Sequence, residues 1–332
     1  MTSTIATSSA LFPSRLGLGL AALGRPGYIN LGHATDLGQH YDVAALQAHA
    51  AAVLDVAWAN GVRYFDAARS YGRAEAFLQH WLTSRAIDPA TVSVGSKWGY
   101  TYTAGWQVHA EHHEIKEHSL AKFTEQWAET HQHLGPYLRL YQIHSATLES
   151  GVLTNQPVLT ALAQLRAEHG VAIGLSLSGA AQAATLEQAL AVTVEGVRLF
   201  DVVQATWNLL ERSVGPLLAA AQQAGLRVIV KEALANGRLT ARNLAPAFAP
   251  QLALLQREAA RLQTTVDALA LAAVLHQPWV AVVLSGAATA EQLTANLAAL
   301  HVAYDDQAAQ TLTALTESPA HYWATRSALA WN

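Results

Sequence analysis

The sequence predicts a single-domain α/β protein, a closed (β/α)8 TIM barrel, and three observations carry that prediction. Short apolar runs rich in Val, Ile and Leu recur eight times along the 332 residues, at 15–20, 63–66, 91–96, 138–144, 171–176, 200–204, 227–231 and 280–285. Stretches of helical length lie between them. No Pro/Gly/Ser-rich linker or compositional break divides the chain, and no internal repeat of fixed period is evident. Within the runs, apolar residues do not alternate with polar ones, which reads as strands buried on both faces. Strand–helix alternation implies a parallel sheet, and eight repeats in one chain fit a closed barrel better than an open sheet.

Each element has its own justification. In 43–60, Leu46, Val53, Leu54 and Ala57 share one helical face, and Gly61 follows as a stop. The segments 74–85, 117–134, 156–168, 180–192, 214–224 and 288–300 behave in the same way. Residues 1–14 are small and polar, and are expected to form a disordered or extended tail ahead of a barrel at 15–332 that ends in a C-terminal helix. Two connections are long, 98–116 and 232–250. Both follow strands, so a barrel places them on the C-terminal face, where sites form.

Composition excludes several functions. The apolar content of 52% is too high for a disordered chain. A balance of 20 Lys+Arg against 24 Asp+Glu offers no positive surface for nucleic acid or an anionic membrane. No apolar stretch approaches the ~20 residues of a membrane span. With no cysteine in the chain, disulfides, thiolate metal sites and cysteine nucleophiles are excluded. The start shows no basic-then-apolar secretory pattern, so a cytoplasmic protein is expected. His109, His112, His113 and His118 are spread along a charged stretch, 111–117, that reads as an exposed helix start, and no metal site is expected there.

Gly17-Leu18-Gly19-Leu20-Ala21-Ala22 matches a G-x-G-x-x-A dinucleotide fingerprint in form only. That fingerprint needs a helix at the glycines, and the chain continues Gly24-Arg25-Pro26-Gly27-Tyr28, which cannot hold one. The segment reads as a flexible strand–loop passage.

Four polar residues stand at or just beyond strand ends: Asp66, Tyr71, Lys97 and His144. Singly each has a bland explanation, since Asp commonly caps a turn and a lone strand-end His is commonly structural. Together they sit at the ends of three successive strands, which a barrel makes neighbours around one mouth. A free phenol, with pKa ~10, is a poor proton donor at neutral pH, and a nearby lysine favours the phenolate and lowers that value. Asp66 can hold the lysine, and His144 can orient a carbonyl oxygen.

The pieces Phe65-Asp66-Ala67-Ala68-Arg69-Ser70-Tyr71-Gly72, Gly95-Ser96-Lys97, Tyr141-Gln142-Ile143-His144, Val203 to Arg212, and Gly286 to Asn296 occur in this order. In them the sequence resembles the aldo-keto reductase family over about residues 15–300. The resemblance implies a (β/α)8 barrel that interconverts a carbonyl compound and its alcohol with NADPH or NADH and no metal. It implies Tyr71 as general acid, Asp66 and Lys97 as its tuning pair, and His144 as the carbonyl-orienting residue. A nucleotide-binding regulatory subunit on the same barrel is the alternative.

The resemblance also implies the cofactor contacts. Ser176 is expected to keep its contact with the nicotinamide amide, but Leu177 stands where the family has Asn. Gln204, used against the same amide, is present. Lys231 replaces the usual aromatic residue at the end of the seventh barrel strand. Leu234, Asn236 and Gly237 belong to a segment like the family's loop over the pyrophosphate, whose backbone N–H groups cradle phosphate. Ser285, Gly286, Gln292 and Asn296 are candidate adenosine-end contacts, and 285–292 lacks the Lys or Arg that grips a 2′-phosphate. The preference between NADPH and NADH stays open. Tyr28, Trp98, Tyr100 and Trp106 are expected to line an aromatic substrate mouth suited to apolar or sugar-like carbonyl compounds.

Overall fold

The computed structural model describes residues 11–332. Eight parallel strands close into a barrel: β1 (Leu16–Gly19), β2 (Tyr64–Asp66), β3 (Ser93–Trp98), β6 (Leu138–Ala146), β7 (Ala172–Leu177), β10 (Val202–Thr206), β11 (Arg227–Lys231) and β12 (Val280–Ser285). Two small antiparallel hairpins complete the strands: β4 (Tyr100–Tyr102) with β5 (Glu114–Lys116), and β8 (Thr193–Val194) with β9 (Val197–Arg198). β1 pairs with β12 at Leu18↔Ser285 and with β2 at Gly19↔Asp66, which closes the ring. All eight apolar runs are barrel strands.

The main core lies between the sheet and the helices. Leu54, Phe65, Leu78, Trp81 and Val94 pack on one side, and Leu162, Ile173, Val203, Leu218, Val228 and Leu271 on the other. Helix starts are capped as side chains allow: Asp42 Oδ1 accepts from Ala44 and Ala45 at 2.9 and 3.1 Å, and Ser119 Oγ from Lys122 at 3.1 Å.

The structure adds helices that the sequence reading left out, Ala249–Arg261 and Val266–Leu275. In the first, Leu252, Leu255 and Ala259 are buried at helical spacing, so the signal was present. The second is buried nearly all round and has no polar face to set a period. The stretch 111–117 is a correction. It does not start a helix: Glu114–Lys116 pairs with Tyr100–Tyr102, and the helix begins at Leu120 behind its Ser119 cap. The tail expected at 1–14 lies, for residues 1–10, outside the described residues. Leu11 is buried against the barrel interior, and Phe12 packs edge-on to Tyr64 at 5.0 Å.

The barrel interior is filled by Tyr64, Leu140, Val202, Ile229, Val282 and Leu284. Tyr64 fits because two flanking strands carry no side chain beside it. A Cβ on Gly17 would meet Tyr64 Cδ1 at 2.8 Å, and one on Gly95 would meet its hydroxyl at 2.3 Å. Gly17 therefore serves packing, not a dinucleotide turn. The Tyr64 hydroxyl donates to Asp66 Oδ1 at 3.2 Å, which links this apolar filling to the polar layer above it.

Gly95→Ala should lower stability by about 1–3 kcal/mol through overpacking. Tyr64→Phe removes the struck hydroxyl, so in urea denaturation the double variant should lose less than the sum of the single losses. Simple additivity would refute this account of the barrel filling.

Candidate active site

The C-terminal mouth opens onto a cavity of about 490 Å³. At its floor Lys97 Nζ is ion-paired with Asp66 Oδ2 and donates to Ala67 O at 2.9 Å and to Tyr71 Oη at 3.3 Å. Asp66 Oδ1 accepts from Tyr64, Gln204 Nε2 at 3.0 Å and Gln142 Nε2 at 3.4 Å. Lys97 and Asp66 are fully buried, a cost tolerable only because every charge is paired and hydrogen-bonded. The Tyr71 and His144 rings meet edge to face at 5.5 Å, and Tyr100 meets His144 at 5.0 Å.

The four strand-end residues thus come together. Their electrostatics differ from the sequence expectation in one respect. Burial, with Asp66 and Glu114 adding to it, raises the Tyr71 phenol well above its ordinary value and outweighs the lowering pull of Arg25. The phenol keeps its proton. His144 is driven well below its usual range by burial and then by Lys97 and Lys231, so its ring is neutral.

Two glycines seat Tyr71. A Cβ on Gly24 would fall 2.1 Å from Tyr71 O, and one on Gly72, which has φ +60°, would fall 2.4 Å from Gly24 O. The passage after β1, read as flexible, is in fact a close backbone contact. It also carries Arg25, which the sequence reading missed. The guanidinium is buried, pairs with Glu114 at 2.5 Å, donates to Ser70 O at 3.0 Å, and lies 5.5 Å from the Tyr71 ring centre.

Of the residues expected at the cofactor, Gln204, Lys231, Leu234, Asn236, Gly237, Ser285, Gly286, Gln292 and Asn296 line the cavity. Ser176 does not. Its hydroxyl accepts from Ser145 N at 2.8 Å, and Ser178 reaches the cavity in its place. Leu177 is buried in the outer core. Gln204 and Asn296 are engaged within the protein, on Asp66 and on Ser285 Oγ at 2.9 Å. Gln292 Oε1 accepts from Ala288 N at 2.8 Å. Tyr28 and Tyr100 line the mouth, but Trp98 and Trp106 do not. Trp98 is core, packed on Phe123 at 5.1 Å, and the Trp106 indole donates to Tyr41 O at 2.6 Å.

Other lining residues had no signal before folding. Trp331 stacks on His113 at 3.8 Å beside Arg25, and Arg242 pairs with Asp36 at 2.7 Å. His118 lies against Trp98, so the four histidines do not converge. Among the described residues no group of three His, Asp or Glu stands where it could hold a metal.

The cavity has room and unmet polar capacity for a ligand: the free acceptor of Asn236 suits a hydroxyl or amide N–H. Asn236 is buried with its Oδ1 unpartnered, and open space stands where Gly286 would carry a Cβ. Glu232, Ala235 and Asn236 all hold left-handed φ of 49–56° around this wall, and Ser145 holds one of 49° near its floor. Such outliers persist where surrounding structure enforces them, often at functional sites.

A closed barrel carries, at its strand-end mouth, a buried Asp–Lys pair under a protonated phenol. The chain belongs to the aldo/keto reductase family, whose model matches residues 16–317. It is by that membership an oxidoreductase of carbonyl compounds, and the family uses nicotinamide cofactors in general. No curated protein matches the chain. Among solved structures it is similar to the aldo-keto reductase AKR11C1 from Bacillus halodurans (holo form), at 21% identity and TM-score 0.69 over 92% of this chain and 93% of that one. It is also similar to PA4992 of Pseudomonas aeruginosa, assigned to the aldo-keto reductases, at 23% identity and TM-score 0.60 over 93% and 95%. No helix among the described residues is long and apolar enough to cross a membrane.

Three buried imidazoles predict an acid limb in stability. Burial lowers His33 and His118 to about 4 each, and holds His144 well below its ordinary value too. The unfolded chain protonates near 6.5 and so binds more protons below that pH. This stabilisation is full above pH 6.5 and is lost as pH falls towards 4. Denaturation at pH 5 against pH 7.5 should show a loss of about 2 kcal/mol from each of His33 and His118. A flat profile over that window would refute the burial of these rings as neutral groups.

Proposed function

We propose that this chain reduces carbonyl compounds with a nicotinamide dinucleotide, Tyr71 being the general acid. The observation that carries the reading is the Asp66–Lys97–Tyr71 chain of contacts, with a buried ammonium 3.3 Å from a phenol that faces the cavity. Asn236, Gly237, Ser285 and Gly286 would hold the dinucleotide along the cavity, with Ser178 at its nicotinamide end. When bound, the nicotinamide supplies the hydride.

The chain's own residues handle the proton and the geometry. The phenolic O–H of Tyr71 donates to the carbonyl oxygen of the substrate and passes its proton there as the alcohol forms. Lys97 stabilises the phenolate left behind, and Asp66 keeps Lys97 in place. Ser70 Oγ stands 3.4 Å from His144 Nδ1. With that hydroxyl donating, the neutral ring keeps its proton on Nε2, which donates to the same carbonyl oxygen and fixes its direction. Tyr28 and Tyr100 supply flat apolar walls for the rest of the substrate.

Tyr71→Phe should keep the fold and nucleotide binding and lower kcat by about 10²–10⁴-fold in an aldehyde screen. Near-normal turnover would remove Tyr71 from this role.

The preference between NADPH and NADH should be shallow, within about tenfold in kcat/KM, or ~1.4 kcal/mol. No cation stands in 285–292, and Arg242, the cation at the far end of the cavity, is already held by Asp36 through contacts of 2.7 and 2.8 Å. Gln292→Arg should shift preference towards NADPH, and Asp36→Asn, which releases Arg242, should do the same. A wild type favouring NADPH a thousandfold, unmoved by either change, would refute this assignment of the adenosine end.

A further inference from the structure

Three cations around the mouth each pair with one carboxylate, and Glu111 and Asp267 add two more acidic groups to its wall. Lys97 has Asp66, Arg25 has Glu114 and Arg242 has Asp36. Glu232 is shared by two cations. Arg326 takes both of its oxygens, with Nη2 at 2.6 Å from Oε1 and Nε at 3.1 Å from each. Lys231 Nζ stands 3.5 Å from Oε1 and donates to Thr206 Oγ1 at 2.8 Å. Since the carboxylate is already engaged by Arg326, the cluster keeps one uncompensated positive charge, and Lys231 carries it. The cluster is rigid: Glu232 holds φ +56°, and its carbonyl accepts from Asn208 Nδ2 at 2.9 Å. The lysine side chain is 16% exposed and lines the same cavity as Tyr71 and His144.

We propose that Lys231 discriminates between the two oxidation states of the nicotinamide, opposing the cationic oxidised ring and accepting the neutral reduced one, and so favours loading of the reduced cofactor and release of the oxidised one. This rests on the reading that a nicotinamide dinucleotide occupies the cavity. In reduction a hydride, one proton with two electrons, leaves the dihydronicotinamide for the carbonyl carbon. The ring is oxidised and gains one positive charge, the carbonyl is reduced, and the oxygen takes its proton from Tyr71. The only charge that appears on the cofactor is thus positive, and the Lys231–Glu232–Arg326 cluster on the cavity wall already carries one positive charge in excess. Two like charges in a protein cavity repel over many ångströms by more than the thermal energy. Lys231 therefore needs no contact with the ring. By the thermodynamic cycle, the factor by which it weakens the oxidised form relative to the reduced form is the factor by which it disfavours hydride release within the complex, so its effect lies in which form the site holds and which it lets go.

The test is binding, not turnover. NADPH, NADP+, NADH and NAD+ are titrated separately into the purified protein and followed by tryptophan fluorescence and calorimetry. Lys231→Met removes the surplus charge and leaves Glu232 with Arg326. It should tighten the oxidised forms by about tenfold and change the reduced forms by less than about threefold. Lys231→Arg keeps the charge and should keep the wild-type ratio of oxidised to reduced Kd. Should Lys231→Met fail to fold, Glu232→Gln adds net positive charge and should widen that ratio. The proposal is overturned if Lys231→Met moves both oxidation states by the same factor, or if Lys231→Arg behaves like Lys231→Met. A wild type that binds none of the four nucleotides would overturn the cofactor reading itself, a different result from either.

Discussion

The buried pair of Lys97 and Asp66 is the constraint around which this protein is built. An ion pair taken out of water is costly unless its remaining donors and acceptors are satisfied. Here the satisfaction comes from all round the barrel: Tyr64 on the same strand, Gln142 on β6, and Gln204 on β10. In the strand order β1-β12-β11-β10-β7-β6-β3-β2, β10 lies opposite β2. The polar layer therefore ties two halves of the barrel across its axis. The apolar filling below it is arranged to the same end, since bare Gly17 and Gly95 leave room for the ring that carries the Tyr64 hydroxyl to Asp66.

From that layer outward the mouth is a sequence of loops clamped by charges. Arg25 joins the loop after β1 to the β4–β5 hairpin through Glu114 and lies near the rings of Tyr28, Tyr71 and Trp331. Glu232 joins the end of β11 to the helix Pro319–Ser327 through Arg326. Asp36 and Arg242 tie the connection after β1 to the connection after β11. Residues distant in the chain, such as Tyr28 and Asn332, pair backbone to backbone. Loops of this kind hold their places by specific polar contacts, because few apolar residues are available there to pack.

The strands and the catalytic candidates were legible for different reasons. A strand buried on both faces is apolar throughout, and only its C-terminal end can afford polar residues. Asp66, Lys97 and His144 therefore stood out against their own strands, and Tyr71 followed in the loop. Trp98 and Trp106 looked equally well placed and are not in the cavity. Trp98 is the last residue of β3, next to Lys97, so strand alternation turns it to the helices while Lys97 faces the axis, and Trp106 is held away by Tyr41 O. Ser176 and Ser178 show the same limit at a distance of two residues: one is spent on Ser145 N, the other reaches the cavity.

Composition, periodicity and strand-end chemistry by themselves determined the barrel, the order of its strands and the four residues at its mouth, because those depend on burial patterns written locally in the chain. What only the tertiary structure decided is how charge is shared across it. Arg25 finding Glu114, Arg242 finding Asp36, and Lys231 competing with Arg326 for one carboxylate join residues separated by up to 206 positions. The same holds for Tyr71, whose proton is kept by burial against the pull of Arg25. Electrostatic energies depend on separation and on exclusion of water, and neither exists until the chain has closed.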